Sequence, residues 1–313
     1  MLYAEPLTDT LTVVDNNITY KKQLFKIPTT LTGADDEGYT NYDSSTTYNE
    51  GDYAVVPDLH RLYRCTADNT TGVFPLSDAS VWVDYGFIND YKMFAEDEQI
   101  GDLTTGSDMV LVYDFSRLDT IALIDVTFNS LEIKLTDNTT STDTIYTIKG
   151  EDIGCLSYSE YFYSNPSKVT RVIKNNLEWL PDSTLTLTFT GTVKIGNVIV
   201  GNTENLGCTL YGTSLKFEDK SKIANDEFTG YRKVLRKGQI RILEAKIIFN
   251  TTEFNVTAQK ISRIMGKNTL FIPTNRDRYT EMTNIAYIEE FELPVENPTI
   301  IETSATLIGV QKK

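Results

Sequence analysis

The chain has 313 residues, 40% of them hydrophobic and 23% charged, with 44 acidic against 29 basic residues, a formal net charge of −15 and one histidine, His60. It is about twice the length of a typical domain, too apolar for a disordered chain, and without the basic balance that duplex binding demands. A multi-histidine metal site is excluded, and histidine catalysis must use His60 or none. No apolar run approaches the roughly 18 residues of a membrane-spanning helix. The first residues carry Glu5 and Asp9 with no basic or apolar block, so they do not read as a secretory signal.

The dominant texture is β: Thr, Val, Ile, Tyr and Phe in short alternating runs broken by Gly, Asn, Asp and Ser. Residues 1–37 read as a β-rich N-terminal segment ending in a Gly/Asp-rich loop, able to pack with 87–206. Residues 38–86 form a small aromatic unit, read as three short strands with Tyr53, Val55, Tyr63 and Trp82 as the large groups available to its core. A unit this small is marginal alone, so ring packing or docking to a neighbour must hold it. Residues 87–206 carry predicted strands at 109–114, 121–127, 131–135, 144–148 and 185–190, with a tyrosine-rich loop at Tyr158, Tyr161 and Tyr163. At 185–190 apolar residues fill every second position, the mark of a half-buried strand. Residues 207–313 read as a second β domain with a strand at 241–249 and a helix at 257–265. In that helix Ala258, Ile261, Ile264 and Met265 share a face, Thr257 caps the start and Gly266 ends it. A second short helix is expected around 220–227. Turn signals about every ten residues favour a sandwich or barrel over strand–helix–strand units.

Motifs for nucleotide, zinc or serine-hydrolase chemistry are missing from the sequence. Cys65, Cys155 and Cys208 are odd in number and far apart, and read as small buried hydrophobes rather than a disulfide or zinc framework. His60, beside Asp58 and Arg61, reads as a solvated turn residue, and 137–143 offers oxygens without the closing Glu of a calcium loop. The expectation is a non-enzyme with no cofactor and no metal. The richest basic stretch, 231–241, reads as a solvated strand face or a subunit contact through Arg232, Lys233 and Arg236.

Two resemblances add to this reading. Tyr48, Gly51, Asp52, Val55, Tyr63, Asn69, Gly72, Pro75 and Trp82 follow one another as in the small chitin-binding-type carbohydrate-binding modules, except that where the family usually opens with Trp this chain offers Tyr39, Tyr42 or Tyr48. The resemblance implies sugar contact through aromatic faces, for which Tyr53, Tyr63 and Trp82 are the candidates, against the alternative that these rings are simply core. A longer pattern runs through Trp82, Gly86, Asn89, Met93 and Phe94, then Ile195, Gly196, Ile199, Gly201, Leu206, Gly207, Thr209, Tyr211 and Gly212. Over about 45–310 it resembles structural proteins of tailed-phage and prophage virions that carry a carbohydrate-binding-like insert. That resemblance implies a galactose-binding-like β-sandwich and a role in the tail or baseplate as an oligomeric scaffold or adaptor. It further implies synthesis in the host cytoplasm and residence in the virion. The expected partners are other virion proteins, further copies of the chain and a cell-surface glycan, with no direct nucleic acid contact and no membrane insertion. Tyr158, Tyr161 and Tyr163 are read as an interface. The alternative function is receptor recognition through carbohydrate.

Overall fold

The computed structural model of the protein describes residues 1–15, 18–96, 103–152, 167–225, 232–235, 238–274, 276–294 and 298–310. The N-terminal segment supplies β1 (Leu2–Pro6), the hairpin β2 (Thr8–Asp15) and β3 (Ile18–Phe25), and β4 (Thr30–Ala34). The aromatic unit follows as β5 (Thr47–Tyr48), β6 (Tyr53–Val56), β7 (Arg61–Cys65), β8 (Thr70–Thr71) and β9 (Trp82–Phe87). Next come β10 (Thr104–Phe115), β11 (Thr120–Ile124), β12 (Ser130–Asp137), β13 (Thr142–Lys149), β14 (Glu151–Asp152) and β15 (Ser167–Lys168). They are followed by β16 (Arg171–Lys174), β17 (Ser183–Thr190), β18 (Thr192–Ile195) and β19 (Asn197–Asn205). The last third holds β20 (Cys208–Thr209), β21 (Ser214–Asp219), β22 (Lys222–Asn225), β23 (Arg232–Leu235), β24 (Gln239–Asn250), the helix α1 (Phe254–Ile264), β25 (Thr269–Ile272), β26 (Asn284–Phe291) and β27 (Ile300–Gly309). The chain is mainly β, with a sandwich-like arrangement. Two local expectations differ from the structure. The helix begins three residues early, because a turn at Thr251–Glu253 leads straight into it and Thr257 is buried inside rather than capping. Where a second short helix was expected, residues 222–225 form a strand paired to β23.

Ten strands make one long sheet in the order β16-β11-β19-β1-β25-β26-β27-β24-β20, with β21 also on β24. A second sheet runs β13-β12-β17-β10-β18, with β4 on the other side of β10. β17 and β18 follow one another along β10, interrupted at Gly191. Gly191 has φ +82° and its amide donates to the Asp108 carboxylate at 2.8 Å. A Cβ there would come within 2.2 Å of the Asn129 side chain, so only glycine fits the break.

Period-two alternation sends neighbouring residues of the long sheet into different cores. Ile121, Leu123, Val198 and Val200 face the second sheet, where they meet Met109, Leu111, Ile133, Leu185, Leu187 and Phe189. Ala122, Ile124 and Ile199 point the other way, joining Ala4, Leu270, Ile272 and Ile285 in a core enclosed by the curl of the sheet. Further along, Leu243, Ile247, Phe271 and Leu307 pack under Ile261 and Ile264 of α1. Because Tyr3 pairs with Glu204, which shares a face with Val198 and Val200, the α1 core and the sandwich core lie on the same side of the long sheet. The seam between these two covers is ionic. Glu204 accepts from Tyr3 Oη at 3.0 Å and pairs with Arg263, while Arg263 and Lys267 reach Glu5 at 3.0 and 3.1 Å. β1 thus sits in the middle of the long sheet, between β19 and β25.

The curl is fastened at Arg171. This buried side chain donates to the Thr283 carbonyl, and Arg241 reaches Glu281 at 3.0 Å beside it. Burial, then the charge of Arg241, pushes the Arg171 guanidinium down to about 10.

Candidate ligand-contacting face

The aromatic unit is inserted between β4 and β10, and Asn89 clamps the two ends of the insertion. Asn89 is 4% exposed. Its Nδ2 donates to the carbonyls of Asp35 and Thr105 at 2.9 and 2.8 Å, and its Oδ1 accepts from the Thr105 amide at 3.0 Å. The Asn89 amide donates to Glu37 at 3.0 Å, and Glu37 also pairs with Lys92 at 2.6 Å. A buried amide satisfied on every side fixes geometry as well as energy. Met93 and Phe94, just beyond, are fully buried in the sandwich core. The Asn89, Met93 and Phe94 positions of the sequence pattern are therefore the socket of the insertion.

Within the unit, β6, β7 and β9 form a small antiparallel sheet. Trp82 is 2% exposed, stands edge-on to Tyr48 with ring centres 5.1 Å apart, and donates from Nε1 to the Val73 carbonyl at 3.0 Å. Tyr63 is buried in the same core, which also takes Val13, Leu11 and Tyr20 from the β2–β3 hairpin. Trp82 and Tyr63 therefore present no ring face to a ligand. Tyr53 is half-buried and lies on the opposite side of the little sheet. There it meets Tyr39 at 5.5 Å with an angle of 43° between the rings, and Tyr85 at 5.3 Å with an angle of 77°. Tyr85 is 60% exposed and Tyr39 40%. Loss of hydration, followed by the neighbouring Tyr85, pushes the Tyr53 hydroxyl above its ordinary value. Tyr39 enters the sequence reading only as one of the residues at the opening position of the module pattern, and Tyr85 does not enter it. The signal for Tyr85 was present: positions 83 and 85 alternate with Trp82, so a core tryptophan places both on the outer face.

Tyr39 also lines a cleft of about 160 Å³ together with Asp35, Asp36, Glu37, Asn41 and Asp90. The Asp90 carboxyl is held above the usual range by burial, then by the charges of Asp36 and Glu37. The tyrosine row and the acidic cleft form one continuous surface through Tyr39.

The other candidate residues fall elsewhere. Tyr158, Tyr161, Tyr163 and Arg236 lie outside the described residues, as do the side chains of Arg232 and Lys233 on β23. Arg241, at the end of the same basic stretch, is an internal partner of Glu281. His60 stands in a turn as expected, but it is half-buried rather than solvated. It has a left-handed φ of 52° and stacks on Tyr91 at 3.6 Å with the rings 5° from parallel, between the unit and the sandwich. Cys65 is buried as read, whereas Cys208 is exposed. Gly207 before it adopts φ +129° and turns the chain out, and a Cβ there would come within 2.6 Å of the Ile248 carbonyl. A second concavity, a groove of about 800 Å³, is lined by Cys208, Tyr211, Pro273, Arg276, Tyr279 and Met282. Among the described residues no group of three or more His, Cys, Asp or Glu is placed to hold a metal, and no helix is long and apolar enough to cross a membrane.

No family model, curated protein or solved structure matches the chain.

Proposed function

We propose that the protein is a structural component of a phage tail or baseplate, an oligomeric scaffold or adaptor for other virion proteins. The observation that carries the reading is where the polar networks lie. The Asn89 clamp, the Tyr3–Glu204–Arg263 seam and the Arg171–Glu281–Arg241 fastening each tie one layer or segment to another. Such joints make one stiff body out of four cores, as a part that transmits position between neighbours requires. The sequence pattern from Trp82 to Gly212 supplies the association with virion proteins. Light scattering and electron microscopy of the full chain test the reading. A ring or other closed oligomer is expected, and a strict monomer at high concentration that captures no virion protein overturns it.

A second reading, glycan recognition by the virion, is favoured by the exposed tyrosine row. An exposed aromatic group of this kind marks an interaction surface, and tyrosine joins an apolar ring to a polar hydroxyl. Titration of the full chain with a panel of glycans decides it: absence of binding at millimolar sugar removes the reading.

A further inference from the structure

We infer that the protein pairs with a second copy of itself edge to edge. β13 runs antiparallel to β13 of the second copy about a twofold axis at Tyr146, and Asp143 of each copy faces Lys149 of the other. The inference rests on the oligomeric part of the proposed function and names its contact.

The edge is long and open. Among the described residues β13 pairs only with β12, from Thr142 to Lys149 without a register shift. The other margin of the same sheet is β4, which has 5 residues, pairs irregularly with β10 and leads into the Asn89 clamp. Short strands, bulges, prolines and lysines are the devices that keep an edge from pairing. β13 has 8 residues and no proline, its one lysine stands at the end, and Ile145 in its middle is 52% exposed.

The hydrogen-bond phase is fixed at both ends of β12. The Asn138 amide donates to the Asp182 carbonyl at 3.1 Å, toward β17, and the Gly150 amide donates to the Asn129 carbonyl at 2.9 Å. Alternation along the ladder then turns the backbone groups of Thr144, Tyr146 and Ile148 toward β12. Those of Asp143, Ile145, Thr147 and Lys149 point outward, each offering a donor and an acceptor to a new strand.

Charge selects the register. Outward-pointing residues must oppose one another, so the axis passes at a residue rather than between two. With the axis at Tyr146, Asp143 opposes Lys149 at both ends and Ile145 opposes Thr147. With the axis at Thr147, Asp143 opposes Glu151, and at Ile145 neither charge gains a partner. Parallel pairing sets Asp143 beside Asp143, and like charges directly opposite are unfavourable. Hydrogen bonds from Lys134, then Thr136, already hold the Asp143 carboxyl below its usual range, so it meets the second ammonium ionised. On the inner face the two Tyr146 rings approach at the axis as a non-hydrogen-bonded pair, where side chains come closest. Lys174, 3.9 Å from the ring centre, is the like charge that opposes them.

Sedimentation velocity of the full chain across a concentration series reads the association, and a reversible dimer or a larger even-numbered oligomer is expected. Thr147→Pro removes an outward donor without taking a bond from the β12 ladder, and is expected to weaken association at least tenfold. Asp143→Lys and Lys149→Glu each place like charges at both ends of the contact. Each alone is expected to weaken association about tenfold, equivalent to about 1.4 kcal/mol. Mixing the two variants restores opposite charges at both ends, so a mixed dimer of near-natural affinity is expected, a rescue that a mere folding defect in either variant would not give. Association unchanged in Thr147→Pro or in the charge variants, or weakened variants that mixing does not rescue, overturns the inference and leaves an oligomer built on another contact. A strict monomer at high concentration removes both.

Discussion

The sandwich and the aromatic unit solve the same problem at two sizes. In the sandwich, β17 is 8 residues long and its Leu185, Leu187 and Phe189 are fully buried between threonines that face away. Aliphatic alternation on long strands closes that core without further help. In the unit, β6 has 4 residues and β7 has 5, too short for alternation alone to enclose a volume. Rings take over: Tyr42, Tyr48, Phe74 and Trp82 meet face-on or edge-on, and Val13, Leu11 and Tyr20 are borrowed from a hairpin that belongs to the N-terminal segment. A small unit with few aliphatic layers depends on directional ring contacts and on a docking partner. Its large residues are then divided between an inner face that it needs for stability and an outer face that is free to contact a ligand.

The sharpest way to break the comparison is Trp82→Ala. Loss of a buried tryptophan costs about 3–5 kcal/mol, and the Val73 carbonyl loses its donor. The expected outcome is proteolytic cleavage confined to 38–86, with the sandwich melting as before. A single lowered transition for the whole chain would show instead that unit and sandwich unfold as one block. Asn89→Ala attacks the joint rather than the core. It removes the side-chain partner of the Asp35 carbonyl and of the Thr105 amide, while the Thr105 carbonyl keeps the Asp35 amide as donor, at a cost of about 1–3 kcal/mol. Faster hydrogen exchange is expected at the Thr105 amide and at 35–37, with β12 and β17 still protected. Unchanged exchange at those positions would mean that the hairpin alone holds the unit.

Much of the sandwich was legible from sequence, because its strands are long and half-buried. The alternation at 185–190 became β17, and the run at 241–249 became β24. The face of the helix was legible through Ile261 and Ile264, but not its start, since Glu253 leads into it without a side-chain cap. The order of the long sheet was not legible. Leu2 pairs with Asn205 on one side and Ile272 on the other, and nothing within β1 encodes partners so distant in the chain. Gly207 and Gly212, both with positive φ, flank the two-residue β20. The site was half legible. Of the candidate rings, Tyr53 lies on the outer face while Tyr63 and Trp82 belong to the core; of its neighbours, Tyr85 follows from the alternation with Trp82, whereas Tyr39 stands outside any strand pattern.

The finest test of the division between the two regions is pH, read through His60. The ring is half-buried and stacked on Tyr91, and burial lowers its pKa from the ordinary 6.5, with Asp58 opposing the shift. A folded pKa below the unfolded one means that the neutral ring is the form the joint accommodates. The stabilisation is therefore complete above the unfolded value and is lost as pH falls through the lower folded value, where the buried ring must charge. Carboxylates titrate in the lower part of the same range, so a melting curve of the natural chain alone would mix several groups. His60→Phe separates them: it keeps an aromatic ring for Tyr91 and cannot protonate. The strain of its left-handed φ adds an offset that does not depend on pH. Between pH 7 and pH 5 the natural chain is expected to lose more stability than His60→Phe, and the extra loss should appear in the exchange rates around 88–91 rather than in β12 or β17. Equal losses in the two proteins would mean that the His60–Tyr91 stack tolerates a charged ring and that the joint carries no pH dependence of its own.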